Sequence, residues 1–287
     1  MFRQEHPSSF IFGAFSMVRV KEILGWIDSL APFRFAESWD NCGLQVGNPQ
    51  ASITGLLVAL DPSSPVLAEA RERGCQCVVT HHPLLLHPLS SILTDSWPGC
   101  VVERALLSGI SIIAAHTNLD AARQGTNGQL AQLLGLSITG PLDAQPSLCQ
   151  DSRYGGMGVV GLLAREATAE KIAAELKSAL GAQSVRIAGD WKKRVSRVAV
   201  CSGSGGSLLG KALAAGADLY ITGDLKYHDA RLAEEYGLVV IDIGHFASEK
   251  PVLGVLCDFF RARAASEALE LDVFVSQSEF DPLRSVS

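Results

Sequence analysis

Apolar positions along the chain follow two periods in alternation. From Met17, residues Val18, Val20, Ile23, Leu24 and Ile27 recur at helical spacing and predict an amphipathic helix. Short apolar runs then alternate with amphipathic stretches. Ile53 to Leu60 reads as a buried strand, Pro65 to Arg73 as a helix ended by Gly74, and Cys75 to Thr80 as a strand. Val101 to Leu107 reads as a helix closed by Gly109, Ile110 to Ala115 as a strand, and Thr126 to Leu134 as a helix that Gly135 can cap. This alternation predicts βαβ units and a largely parallel sheet.

From Gly140 to Gly156 the composition shifts to Pro, Asp, Gln, Ser and Gly, which predicts a linker. A second alternating set follows. Strands are expected at Met157 to Leu163, Val185 to Ile187, Val195 to Cys201, Leu219 to Thr222, Leu238 to Ile243 and Leu271 to Val275. Helices are expected from Thr168 through Leu180, over Leu208 to Ala215, and over Phe246 to Ala264. The pattern predicts an α/β protein of two lobes. The first covers 17–139, with 240–287 returning to it, and the second covers 140–239. Neither an internal repeat nor a low-complexity tract interrupts this order.

Composition narrows the class. A 287-residue chain is about two domains long. Hydrophobic residues at 47% against 19% charged, with mean hydropathy +0.21, exclude disorder along most of it. Twenty-four Lys and Arg against 30 Asp and Glu leave a net charge of -6, which disfavours nucleic acid as a partner. No uncharged apolar run approaches the roughly 18 residues of a membrane helix. Seven scattered Cys, without a C-x-x-C pair, fit a reducing cytoplasm better than a disulfide framework. Cys75 and Cys77 alternate as a buried strand would, a simpler reading than a thiolate metal site. Residues 1–16 lack the small-residue cleavage site of a signal peptide and read as an extension before Met17.

Chemistry concentrates where strands end. His81 and His82 follow the run Val78-Val79-Thr80, and Pro83 stops its continuation. His116 follows Ile112 to Ala115 with Asp120 four residues on, and His245 follows Val239 to Ile243 with Glu249 four residues on. The carboxyl ends of parallel strands line the ligand crevice in α/β sheets. Three strands therefore deliver imidazoles and carboxylates to one edge. Adjacent His on an extended segment point to opposite sides, so His81 and His82 would reach neighbouring ions rather than chelate one. A helix starting near Gly244 puts His245 and Glu249 on one face. This donor mixture suits Zn, Fe, Mn, Co or Ni rather than Ca, and a carboxylate can bridge two such ions. Alone, each His would more simply be a satisfied core or loop residue, the reading kept for His6 and His87.

Five segments occur in order: Glu37-Ser-Trp-Asp-Asn-Cys-Gly-Leu-Gln-Val-Gly47, Thr80-His-His-Pro83, His116-Thr-Asn-Leu-Asp120 with Gly125-Thr-Asn127, Thr222-Gly-Asp224, and Gly244-His-Phe-Ala-Ser-Glu249. Together they resemble the NGG-interacting-factor-three-like proteins, the GTP cyclohydrolase 1 type 2 homologues, over roughly Val18 to Val275. The resemblance implies a two-lobed α/β fold, each lobe a mixed or largely parallel sheet flanked by helices, with a dinuclear metal site between the lobes. It also implies a toroidal homohexamer and two divalent cations per subunit, held by His81, His82, Asp120, His245 and Glu249, with Glu249 bridging. His116 would stand beside the metals as a supporting group or proton shuttle. The Glu37–Gly47 segment is either a signature near the cleft or a structural turn with Asp40-Asn41 capping and positive φ at Gly43 and Gly47.

Two further segments are candidates for substrate contact. Cys201-Ser-Gly-Ser-Gly-Gly206 joins a strand to a helix, and backbone N–H groups around Ser204 and Gly205 would suit a phosphate, though the P-loop Lys is missing. Lys226 and His228 could meet an anion at the cleft mouth while Asp224 holds their loop; alternatively Asp229 caps the helix Ala230 to Tyr236. The expected function is a cytoplasmic dinuclear-metal hydrolase of a nucleotide-like substrate, with GTP implied by the resemblance alone. Its rivals are a metal-dependent phosphoesterase, a non-enzymatic metal-binding scaffold and, least compatible with the charge, nucleic-acid handling.

Overall fold

A computed structural model describes residues 17–284 of the chain; the proposed extension 1–16 lies outside the described residues. Two sheets organise it. The first has five strands in the order Asp272–Val275, Gly55–Ala59, Cys77–Thr80, Ser111–Ala114 and Gly43–Val46. Its first four strands are parallel and Gly43–Val46 runs antiparallel at the edge. The central strands are buried on both faces, which explains their unbroken apolar runs. Leu56, Val58, Val79 and Ile113 pack under helices Val20–Leu30 and Pro251–Ser266. Leu57, Ala59, Val78 and Ile112 face helices Ser64–Glu72 and Gly99–Leu107.

The second sheet has six strands in the order Ser137–Asp143, Met157–Thr168, Arg194–Ser204, Leu219–Gly223, Val239–Asp242 and Arg186–Ala188. Arg194–Ser204, Leu219–Gly223 and Val239–Asp242 are parallel, and the outer strands pair antiparallel. Val198, Val200, Leu219, Ile221, Val239 and Ile241 form one core with helix Ala169–Leu180 and with Leu130 and Ala131 of helix Thr126–Leu133. Tyr220, Ala199 and Val240 form another under helices Leu209–Ala214 and Tyr227–Glu235. The architecture is mixed α/β, two sheets flanked by helices. No described helix is long and apolar enough to cross a membrane.

Several local expectations are corrected. Val18–Arg19 pairs with Ser52–Ile53, so the first helix starts at Val20 rather than Met17. The proposed linker begins as a strand, Ser137–Asp143; it lies at the sheet edge, where Gly140 and Pro141 are tolerated. The helix expected over Phe246 to Ala264 is two helices, His245–Glu249 and Pro251–Ser266, because Pro251 has no N–H to continue the ladder. Asp229 is not an N-cap: the helix starts at Tyr227 with Lys226 at the cap, and Asp229 lies in its first turn.

Candidate metal centre

The carboxyl ends of strands from both sheets meet at one cleft. His81 and His82 leave strand Cys77–Thr80, His116 leaves Ser111–Ala114, and His245 opens the short helix His245–Glu249 beyond Val239–Asp242. His82 and His245 come from different sheets, yet their Nε2 atoms are 3.3 Å apart. Ligand atoms of His81, His82 and His116 lie within 4.8 Å of one another, as do those of His82, His245 and Glu249.

Glu249 sits at the middle and is 3% exposed. Its Oε1 lies 3.5 Å from His81 Nε2 and 3.3 Å from His245 Nε2, and its Oε2 lies 3.0 Å from His82 Nε2. Asp120 Oδ1 is 3.6 Å from His81 Nε2 and accepts the Thr126 hydroxyl. His81 and His82 thus reach one carboxylate from different sides. The extended conformation that would have separated them ends at Thr80, whose hydroxyl donates to His82 O at 2.7 Å.

Each imidazole is held through its other nitrogen. His81 Nδ1 donates to Ala115 O (2.9 Å), His82 Nδ1 to Asp61 Oδ1 (2.9 Å), His245 Nδ1 to Asp224 Oδ2 (2.7 Å) and His116 Nδ1 to Asp40 Oδ1 (3.0 Å). A carbonyl or carboxylate only accepts, so the proton sits on Nδ1 and a neutral ring turns an Nε2 lone pair inward. His81 Nε2 and Glu249 Oε2 are buried without a hydrogen-bond partner. Lone pairs and carboxylate oxygens therefore face one another with no donor between them. Such an arrangement requires positive charge, as protons or as a metal ion, and outer acceptors on each ring are the usual support of metal-binding His. The imidazole and carboxylate donors fit a borderline divalent cation.

Electrostatics agree. Burial would raise the Glu249 pKa, but His81, His245 and His82 hold it well below the usual carboxylate range. Burial would lower the His82 pKa, but Asp61 and Glu249 outweigh it and push it up to about 10. At His245, Glu249 and Asp224 likewise overcome burial and raise it to about 9. Burial also opposes charge on His81, and Asp120 and Glu249 reverse that. The cluster is built to hold cationic charge.

A cavity of about 480 Å³ opens beside this cluster, with Asp61, His82, Arg186, Asp224, His245 and Arg284 in its lining. None of Ser204, Gly205, Lys226 and His228, the residues expected to contact substrate, is in this lining. Ser204 is exposed at its strand end. Gly205 is no phosphate cradle: its N–H donates to Thr222 Oγ1 at 3.0 Å and its carbonyl accepts from Tyr220 at 2.7 Å. Lys226 and His228 are exposed and outside the cavity lining. Of the two readings of Glu37–Gly47, the geometry supports parts of both. Gly43 and Gly47 have φ of +106° and +116°, while Asp40 reaches His116 and the Thr117 N–H and hydroxyl.

Residue-by-residue reading missed Asp61, which follows strand Gly55–Ala59 just as His81 follows its own; the strand-end rule applied evenly would have found it. It also missed Gly203. At φ +64°, its missing Cβ leaves room for the Glu249 carboxylate.

The chain is similar to known proteins in sequence and in fold. A protein of Clostridium perfringens named GTP cyclohydrolase 1 type 2 homolog is 36% identical over 94% of this chain and 100% of its own length. A Streptomyces coelicolor protein of the same name is 35% identical over 93% of this chain and 94% of its own. The crystal structure of a Staphylococcus aureus hypothetical protein matches with TM-score 0.87 and 30% identity, covering 94% of this chain and 100% of that one. A Bacillus cereus protein described as related to NIF3 matches with TM-score 0.85 and 25% identity over 94% of this chain and 100% of its own. Residues 18–282 match the family described as Duf34/NIF3 (NGG1p interacting factor 3), and the chain belongs to that family.

Proposed function

We propose that the chain is a divalent-metal-dependent hydrolase of a nucleotide-like substrate, using two cations held by His81, His82, Asp120, His245 and Glu249. One observation carries this reading: inward Nε2 lone pairs and a buried Glu249 carboxylate converge with no donor between them. Glu249 offers separate oxygens to His81 and His82, which supports a bridging role. Cations of the Zn, Fe, Mn, Co or Ni type supply Lewis acidity, bringing the pKa of water towards neutrality and polarising a substrate oxygen.

The chain's own contribution is orientation and proton handling. Asp61 and Asp224 fix the rings of His82 and His245 at the cavity wall. His116, held through Nδ1 by Asp40, presents Nε2 to accept a proton from attacking water and return it to the leaving group. The cavity beside His82 and His245 favours an enzyme over a closed metal scaffold, since substrate can reach the cluster. The relatives' name supports GTP as the first substrate to test, with hydrolytic opening of the purine imidazole. A phosphoester is the nearest rival. Self-association belongs to the same proposal, with exposed Ile92, Leu93 and Trp97 in one short segment as its candidate contact; a toroidal homohexamer is the form that the family resemblance implies.

The test is metal analysis of purified protein joined to a screen of nucleotides and phosphoesters. Wild type should turn over at least one class, and Glu249→Gln and His82→Ala should lose it. Metal-loaded protein that leaves both classes untouched, or a His82→Ala variant matching wild type, overturns the proposal.

A further inference from the structure

The chain beyond its last strand is tied down at two points. Glu69, on helix Ser64–Glu72, accepts the Ser276 hydroxyl (2.8 Å) and the Gln277 and Ser278 N–H groups (3.0 and 3.1 Å). The chain then presents Glu279, whose carboxylate accepts the Leu60 N–H at 2.9 Å and the Asp61 N–H at 2.7 Å. Strand pairing of Gly55–Ala59 ends one residue before Leu60, so these two N–H groups have passed beyond the ladder. A carboxylate with two acceptor oxygens satisfies both.

The location matters for His82. Leu60 O accepts the His82 N–H at 2.8 Å, and Asp61 Oδ1 accepts His82 Nδ1 at 2.9 Å. The Asp61 side chain is 53% exposed, so little packing keeps it aimed at the ring. Its aim depends on the backbone beneath, and Glu279 fixes that backbone. Past Glu279, residues Asp281, Pro282, Leu283 and Arg284 form one wall of the cavity beside His82 and His245. One segment therefore touches both the support of a cluster imidazole and the space where a ligand would sit.

We propose that Ser276–Arg284 is a strap built into the site: Glu279 positions His82 through the Leu60–Asp61 backbone and Asp61, and the residues after it wall the ligand pocket. Glu279 is a positioning residue: it is not in the cavity lining, and its hydrogen bonds go to the Leu60 and Asp61 backbone rather than to a cluster side chain. The inference rests on the metal-centre reading above and adds a role for a segment that follows the fold's last strand.

Co²⁺ binding to the full chain, followed by visible absorption and by calorimetry, tests it. Removing a direct outer partner of a metal-bound His weakens metal affinity about 10- to 100-fold, the expectation for Asp61→Ala. Glu279→Ala, one step further out, should weaken Co²⁺ binding by about 3- to 10-fold and alter the absorption band. Glu279→Gln retains one acceptor oxygen and should fall between Glu279→Ala and wild type. Adding Glu279→Ala to Asp61→Ala should cost clearly less than the sum of the two single losses, since both act on His82 in part through Asp61. Leu283→Ala, in the wall alone, should leave Co²⁺ affinity and the band unchanged.

Unchanged Co²⁺ affinity and spectrum in Glu279→Ala overturns the strap while leaving the metal centre standing. Full additivity with Asp61→Ala does the same, because it reveals a general loss of stability rather than positioning. If Glu279→Ala does not fold, Glu279→Gln decides by the same two criteria. Wild-type protein that binds no Co²⁺ overturns the metal centre, and the strap with it.

Discussion

Gly203→Ala separates the cost of backbone strain from the cost to the cluster. Gly203 has φ +64°, and a Cβ there would lie 2.3 Å from Glu249 Oε1 and 3.4 Å from His245 Nε2. Left-handed backbone costs an alanine roughly 1–2 kcal/mol. Relief of the contact to an ordinary separation of about 3.5 Å moves the carboxylate oxygen by about 1 Å. That oxygen ends a flexible side chain, so its retreat costs the fold little and the ligand geometry much. Gly181 is the matched control: its φ is also +64°, with nothing within 4 Å of an added Cβ. Both alanine variants should lose roughly 1–2 kcal/mol in thermal or denaturant unfolding. Only Gly203→Ala should also lose divalent-cation affinity, by at least about 10-fold, or about 1.4 kcal/mol, in Zn²⁺ or Mn²⁺ calorimetry. If Gly203→Ala binds these ions as tightly as Gly181→Ala, Glu249 is not a ligand and the reasoning fails.

Three further expectations follow from the same geometry. Cation at about 100 times its Kd should stabilise the fold by about 2.7 kcal/mol, raising Tm by about 4–5 °C, and a chelator should reverse this; a chelator-insensitive melt of metal-loaded protein contradicts it. His82 and His245 have pKa values raised from 6.5 to about 10 and about 9, so their stabilisation of the cation-free fold is complete below about pH 6.5 and fades as pH rises through those values. Cation must displace the same protons, so affinity should climb across that interval; calorimetry in buffers of different ionisation enthalpy should register proton release at pH 7.5, and its absence contradicts the pKa assignment. Burial pushes the thiols of Cys42 and Cys201 up to about 12 and that of Cys75 up to about 11, so alkylation at pH 8 should label exposed Cys149 first. Equal labelling of Cys201 would contradict the described core.

The elements that were legible in the sequence are those whose pattern is local. Apolar runs such as Val78-Val79 and Ile112-Ile113 mark strands because both faces of a parallel sheet are buried. His81, His116 and His245 stand out because each follows such a run, and the folded chain brings them into two side-chain groups joined by His82. Partnerships across the fold left no local trace. Glu279 lies 218 residues from the Asp61 N–H it accepts, and Gly203 looks like any loop glycine until Glu249 is placed beside it. Ser137–Asp143 was hidden by Gly140 and Pro141, which an outer strand accepts and an inner one does not. Gly205 looked available to an anion because sequence does not reveal that Thr222 already takes its N–H. The break at Lys250 was readable in principle, since Pro251 announces a helix start.

Side chains from two sheets meet at one cluster, and the proposed divalent cations would lie among them. Anomalous X-ray diffraction from crystals grown with Zn²⁺ or Mn²⁺, recorded on both sides of the metal's absorption edge, tests it most directly. Two strong peaks per chain are expected within coordinating distance of His81, His82, Asp120, His245 and Glu249. Crystals with no anomalous peak among those residues, or with metal bound only elsewhere on the surface, would contradict it.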